Sequence, residues 1–331
     1  MFQRILVPLD GSERARQALP VAARIARDSG GSLLLLSVMH LPLNFTWQME
    51  TGLMQVDSRI AVHQEQEAEL AALASSEELK GIKVTREVVE DLPAQAILEK
   101  AQSSQADLIV MCSHGRSGIT HWALGSVAQK VARHSPIPVL ILHAGWPMAL
   151  PPHGIRPVRV MVALDGSLLA ENALLPAARL SEILSTPLPG AVHLVRSLPF
   201  PTDFDCGQDD AFARAGQQAK QDAQTYLQSI QQQLASQTNV HITCSIASSL
   251  DTAETLISIA ETGEGSGLAG ITESSDIIAL TTHGRSGLAR WVMGSIPERI
   301  LGTTRLPLLI VRPQLTSEFS TLQEHVAQAT P

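Results

Sequence analysis

Two short segments of this 331-residue chain carry residue types that could hold an anionic ligand. One is Pro8-Leu9-Asp10-Gly11-Ser12. The other is Cys112-Ser113-His114-Gly115, which continues to Gly125-Ser126. Each follows an apolar run that reads as a β-strand, so each begins at a strand's carboxyl end. In open α/β sheets that is where ligands bind, at the point where strand order reverses. A glycine loop running into a helix start offers free backbone N–H groups, and the helix dipole favours anions there. Gly115 and Gly125 let the backbone come close to a ligand, and the Ser126 hydroxyl can donate to a phosphate oxygen. GxxxxGK[ST] is absent, so this is not a P-loop. GxGxxG after the first strand is also absent, which disfavours a dinucleotide fold.

The same residues occur twice. Residues 4–12, RILVPLDGS, return as RVMVALDGS at 159–167, and HGRSGITHWALGS at 114–126 returns as HGRSGLARWVMGS at 283–295. The offsets are 155 and 169, and the extra residues fit a Gly/Ser-rich insertion at 264–274. The second set is therefore Ala163, Asp165, Thr281, Gly284, Gly294 and Ser295. Repetition is the strongest organisational signal a sequence carries. It predicts two copies of one unit, 1–143 and 158–313, with a proline-rich linker at 144–157 and a polar tail at 314–331.

Within each copy, strands alternate with helices. SLLLLSVMH and DLIVMCS are apolar throughout, as strands covered on both faces are. Helices are expected over 13–30, 63–80, 93–104 and 122–133, and in the second copy over 168–184, 211–235, 251–262 and 289–301. The fold class is α/β: two tandem, doubly wound, Rossmann-like domains, each with a five-stranded parallel sheet. One large sheet of about ten strands is the alternative. The last strands, PVLIL and PLLIV, are apolar enough to join the units as an intramolecular pair, with a further homodimer open.

Composition narrows the function classes. A net charge of −8 argues against a nucleic-acid partner. No run of 18 apolar residues is present, so no membrane span is expected. Cys112, Cys206 and Cys244 form no CxxC, and no HxxxH pair occurs, so neither a disulfide framework nor a protein-only metal site is expected. The start reads as a first strand rather than a signal peptide, and a reducing cytoplasm fits the sparse cysteines.

With these motifs in place, the chain resembles the universal stress protein family in its tandem form. ATP-binding members carry a strand-end glycine, two residues, a glycine, nine residues, then Gly-Ser or Gly-Thr. Here Gly115, Gly125 and Ser126 match, as do Gly284, Gly294 and Ser295. The family's first glycine is Cys112 in one copy and Thr281 in the other, and its strand-one proline is Pro8 in one and Ala163 in the other. The resemblance implies a Rossmann-like, HUP-type fold and an ATP site with Mg²⁺. It also implies Asp10 and Asp165 at the ligand, and base contacts from the backbone of Val38 and Ser197. A regulatory role in the stress response follows, with protein partners unknown. Slow hydrolysis or self-phosphorylation is the most chemistry such a site would do, and no catalytic residue is expected. A nucleotide-independent scaffold of the same fold is the alternative. A transferase sharing the fold would need an acceptor domain, and no segment is left to build one.

Each residue also has a plain structural role open to it. Asp10 and Asp165 could cap the next helix. Gly115 and Gly125 could serve turns or packing. His114 and His283 could be general bases or loop histidines satisfied by backbone, and Arg116 and Arg285 could meet phosphate or solvent. Trp122 and Trp291 read as packing anchors. Cys112 reads as a small buried hydrophobe or a redox sensor.

Overall fold

The structure is a computed structural model, and it describes residues 1–39, 56–113, 124–143, 150–198, 210–263, 273–282 and 293–313. The first unit runs β1 (Arg4–Leu9), α1 (Glu13–Arg16), α2 (Ala18–Ser29), β2 (Ser32–Met39), α3 (Val56–Ala74), a 3₁₀ turn (Glu77–Leu79), β3 (Lys83–Glu90), α4 (Pro93–Ser103), β4 (Leu108–Cys112), α5 (Ser126–His134) and β5 (Val139–Leu142). The second repeats it as β6 (Arg159–Leu164), α6 (Leu168–Glu171), α7 (Leu174–Ser185), β7 (Ala191–Leu198), α8 (Asp210–Ala235), β8 (His241–Ser248), α9 (Thr252–Thr262), β9 (Ile277–Thr281), α10 (Ser295–Thr303) and β10 (Leu308–Val311).

The strands form one sheet in the order β3-β2-β1-β4-β5-β10-β9-β6-β7-β8. Each half is a five-stranded parallel sheet, and the halves meet antiparallel where β5 pairs β10. The two architectures weighed from sequence are thus one object: two doubly wound units fused edge to edge into ten strands. The reason is chemical. Leu309 faces Leu140 and Ile310 faces Val139, all of them buried, and a bare apolar edge is stable only when covered. One core lies under α1–α3 and α6–α8, the other under α4, α5, α9 and α10, and each runs through both units. On one face α2 packs on α7, with Arg24 of α2 donating to the carbonyls of Pro151 and Leu184. On the other, Arg133 of α5 pairs with Glu298 of α10 at 2.5 Å.

The outer edges are blunted differently. Strand β3 carries Lys83, Arg86, Glu87 and Glu90, the charged edge that resists pairing. Strand β8 carries no acid or lysine, and Gln231 of α8 reaches across to its Ile242 carbonyl at 3.2 Å.

The helices expected over 13–30 and 168–184 are each broken in two, at Gln17 and at Asn172-Ala173. Pro20 and Pro176 explain both breaks. Neither has an N–H to give the carbonyl four residues back, so each sits in a new first turn, where the donor would be unused anyway. The helix expected from Trp122 begins at Ser126 among the described residues. The insertion at 264–272, the linker residues 144–149 and the tail from 314 lie outside the described residues.

Candidate functional site: two strand-end clefts

Strand order reverses between β1 and β4, and again between β6 and β9. In β1 the Gln3 carbonyl accepts from Ser32 and the Arg4 carbonyl from Asp107. Odd residues therefore face β2 and even residues face β4. Pro8 is even, so its missing N–H falls on the β4 side. The β1–β4 pairing ends at Leu6, whereas β6–β9 continues to Val162, the counterpart of Val7. Pro8 thus opens the crevice at the first switch point. Ala163 keeps its donor, and there the ladder runs one residue further.

Past each strand the chain turns through a left-handed glycine, Gly11 at φ 78° and Gly166 at φ 80°. Asp10 Oδ1 accepts from the Ser12 N–H at 3.0 Å and its hydroxyl at 2.6 Å, and Ser12 Oγ in turn accepts from the Ala15 N–H at 3.1 Å. Asp165, Ser167 and Ala170 repeat this at 2.9, 2.6 and 3.2 Å. The helix cap is therefore the serine, not the aspartate, and the aspartate holds the serine in place. Ser12 and Ser167 are residues that the sequence reading passed over, although Asp-Gly-Ser before a helix contains both possibilities.

The second segment is pinned at its base. Ser113 donates to the Leu142 carbonyl at 2.7 Å, and its own carbonyl accepts from Gly125 at 2.8 Å. Thr282 and Gly294 repeat this, at 3.1 Å to Val311 and 2.9 Å between themselves. The strand end and the helix start are thereby held together, and Ser126 and Ser295 stand as first helical residues beside the strand ends. Neither Gly125 nor Gly294 supplies a side-chain cap. In α5 the N–H groups of Ser126, Val127 and Ala128 are beyond the reach of any intrahelical acceptor. In α10 the third of these positions is Pro297, which has no N–H, and Glu298 follows it. Gly294 has φ −62°, open to any residue, and an added Cβ would meet nothing closer than Pro297 Cδ at 3.5 Å. Nothing in the described fold requires glycine there.

Cys112 and Thr281 are both buried. The Cys112 Sγ lies under α1, 3.9 Å from the Ala15 carbonyl. Burial, aided by the Asp10 charge, pushes its thiol up to about 12, so it stays protonated and fits a small core residue better than a redox sensor. Val38 stands one residue past the Leu9–Ser37 pair, beside Asp10. Ser197 stands likewise past Leu164–Arg196, and its carbonyl accepts from Arg196 Nη1 at 2.9 Å. Gly115, Gly284, His114, His283, Arg116, Arg285, Trp122 and Trp291 lie outside the described residues. Among the described residues no group of three His, Cys, Asp or Glu could hold a metal, and no helix is long and apolar enough to cross a membrane.

A doubly wound sheet that reverses strand order twice, with a strand-to-helix connection at each switch point, defines the class of Rossmann-like α/β proteins. The model of the universal stress protein family matches residues 1–143 and 158–312, and the chain belongs to that family. A universal stress protein of Mycobacterium bovis is 34% identical over 236 residues, 70% of each chain. One from Methanocaldococcus jannaschii is 29% identical over 148 residues, 43% of this chain and 82% of the relative. Among solved structures, a universal stress protein from Archaeoglobus fulgidus superposes with a TM-score of 0.62 at 19% identity, covering 94% of this chain and 96% of that one. A putative universal stress protein from Pseudomonas aeruginosa gives 0.61 at 18% identity, covering 99% and 98%. At that identity the likeness speaks for the fold.

Proposed function

We propose that this protein is a cytoplasmic stress-response regulator that binds an adenine nucleotide, ATP, at the strand carboxyl ends, chiefly in the first unit. One observation supports the reading: Ser113 and Gly125, joined by a backbone hydrogen bond, lead into a helix whose first three N–H groups have no side-chain cap among the described residues. Such a start is an anion site by construction. Asp10 and Val38 border the opposite end of the same crevice, where the base and ribose would lie. Mg²⁺ would come with the triphosphate oxygens rather than from a protein cage, as Mg²⁺ usually does. The protein's own residues bind and orient the nucleotide. On this reading the output is a change in partner affinity between the free and loaded forms. The domains involved are 1–143 and 158–313, acting as an intramolecular pair.

A thermal-shift titration of the full chain with ATP, AMP and buffer tests this. A ligand that binds only the folded state adds RT ln(1 + [L]/Kd), about 2.7 kcal/mol at a hundredfold excess over Kd. ATP is expected to raise the midpoint by several degrees and AMP by less. Equal midpoints in all three would leave the nucleotide-independent scaffold as the reading. The second cleft favours that reading for its own half, since Pro297, Glu298 and Ala163 all weaken it.

A further inference from the structure

Strand β7 ends on a residue with no parallel in the first unit. Arg196 occupies the register position of Ser37 and is only 6% exposed. Ser37 bonds Gln66 of α3 at 3.0 Å and brings no charge. The Arg196 guanidinium instead lies across the ends of β6 and β7. Its Nη2 stands 2.6 Å from where a Cβ on Gly166 would be, its Nη1 donates to the Ser197 carbonyl at 2.9 Å, and its centre lies 5.7 Å from the Tyr226 ring. Tyr226 donates to Glu171 Oε1 at 3.1 Å. Glu171 stands where the first unit has Arg16, which pairs outward with Glu69 at 2.8 Å. Between the units the cation has therefore moved from the first-turn helix surface to the buried strand end.

A planar guanidinium against a glycine on one side and within reach of an aromatic ring is a preorganised, low-entropy filler. It also engages the backbone carbonyl at the end of β7, the acceptor that a ligand's polar edge would need there. We infer that Arg196 is the resident occupant of the second cleft: it ties the Asp165-Gly166 turn to the end of β7 in place of a bound nucleotide, and so restricts ATP to the first unit. This rests on the nucleotide reading above for the site, but not for the brace itself. Gly166 is doubly constrained, by a φ of 80° that Gly11 shares and by the space the guanidinium fills.

Two readouts on the full chain decide the matter. The first is amide hydrogen exchange without nucleotide. In Arg196→Ser, exchange at Ser167–Ala170 should rise at least tenfold while Ser12–Ala15 stays unchanged. Arg196→Met, which keeps the packed stem, should show the same and guards against a variant that fails to fold. Unchanged exchange at Ser167–Ala170 overturns the brace. The second is ATP stoichiometry by calorimetry. Pro297→Ala/Glu298→Gln should stay at one ATP per chain, and adding Arg196→Ser should bring it to two. If the double variant alone reaches two, Arg196 is not the obstruction and the inference fails. If no variant binds ATP, the nucleotide reading has failed, and the exchange result still decides the brace.

Discussion

The two strand-end clefts share a backbone and differ in what fills it. Both have the Asp-Gly-Ser turn, the serine cap and the pinned loop, with hydrogen bonds matching to within a few tenths of an ångström. In the first, Pro8 ends the β1–β4 ladder early and three helix N–H groups lie beyond any intrahelical acceptor. In the second, Ala163 lets the ladder run on, Pro297 removes a donor, Glu298 adds a carboxylate and Arg196 fills the strand end. A duplicated fold keeps the interactions that hold its turns, while the groups around the strand ends have diverged. The shared geometry reports the fold, and on the proposed reading the differences decide which copy takes the nucleotide.

The seam offers the largest effect by which to break this comparison. Leu140 and Leu309 face each other and are fully buried. Leu309→Lys would bury an unpaired charge and should cost more than about 4 kcal/mol, enough to unfold a marginal protein. Leu309→Ala should cost about 2–5 kcal/mol. Because both cores cross the seam, either unit's unfolding should carry the other with it. Calorimetry of Leu309→Ala is expected to show one shifted transition. Two transitions with only one displaced would make the units independent beads.

A smaller difference is the polar core of the second unit. His193 is buried between Thr243 Oγ1 at 2.7 Å and Ser245 Oγ at 2.9 Å, where the first unit has Leu34. Burial, with a lesser contribution from Arg159, lowers its pKa to about 4. The folded state therefore holds it neutral while the unfolded chain takes a proton near the ordinary 6.5. Stability is full above that value and falls as pH drops toward 4. From pH 7 to 5 the loss should be about 2 kcal/mol. Urea midpoints at the two pH values measure it, and His193→Leu should remove its share of the slope. An unchanged slope in that variant would assign the acid sensitivity elsewhere.

The caps test what the units share. Ser12→Ala and Ser167→Ala each remove an N-cap acceptor and should each cost about 1 kcal/mol. Denaturant midpoints that move equally support equivalent turns. A much larger cost at Ser12 would mean that the first turn carries strain the second lacks.

Most of this frame was legible in the sequence. The strands were found to within a residue or two because their apolar runs are bounded by Gly, Pro and Asp. The seam could be foreseen from two apolar last strands. The broken helices could have been, since Pro20 and Pro176 sit where a continuous helix loses a bond. Pro297 and Glu298 were also in plain view beside the matched Gly-Ser. Arg196 was not. An arginine near the end of AVHLVRSL reads as a strand end meeting water, and what buries it, Gly166 and Tyr226, is 30 residues away on either side. Contacts of that range are set by the fold, which local pattern does not reveal.

The central claim is that one cleft of two is a nucleotide site. Calorimetric titration of the full chain with ATP and Mg²⁺, in wild type, Gly115→Val and Gly284→Val, tests it most directly. If Gly115 lies against the phosphates, as the family resemblance implies, a branched side chain there would occupy ligand space. The account predicts one ATP per wild-type chain, binding abolished by Gly115→Val with far-UV dichroism intact, and binding unchanged by Gly284→Val. Two equivalent sites in the wild type, or loss of binding through Gly284→Val alone, would contradict it.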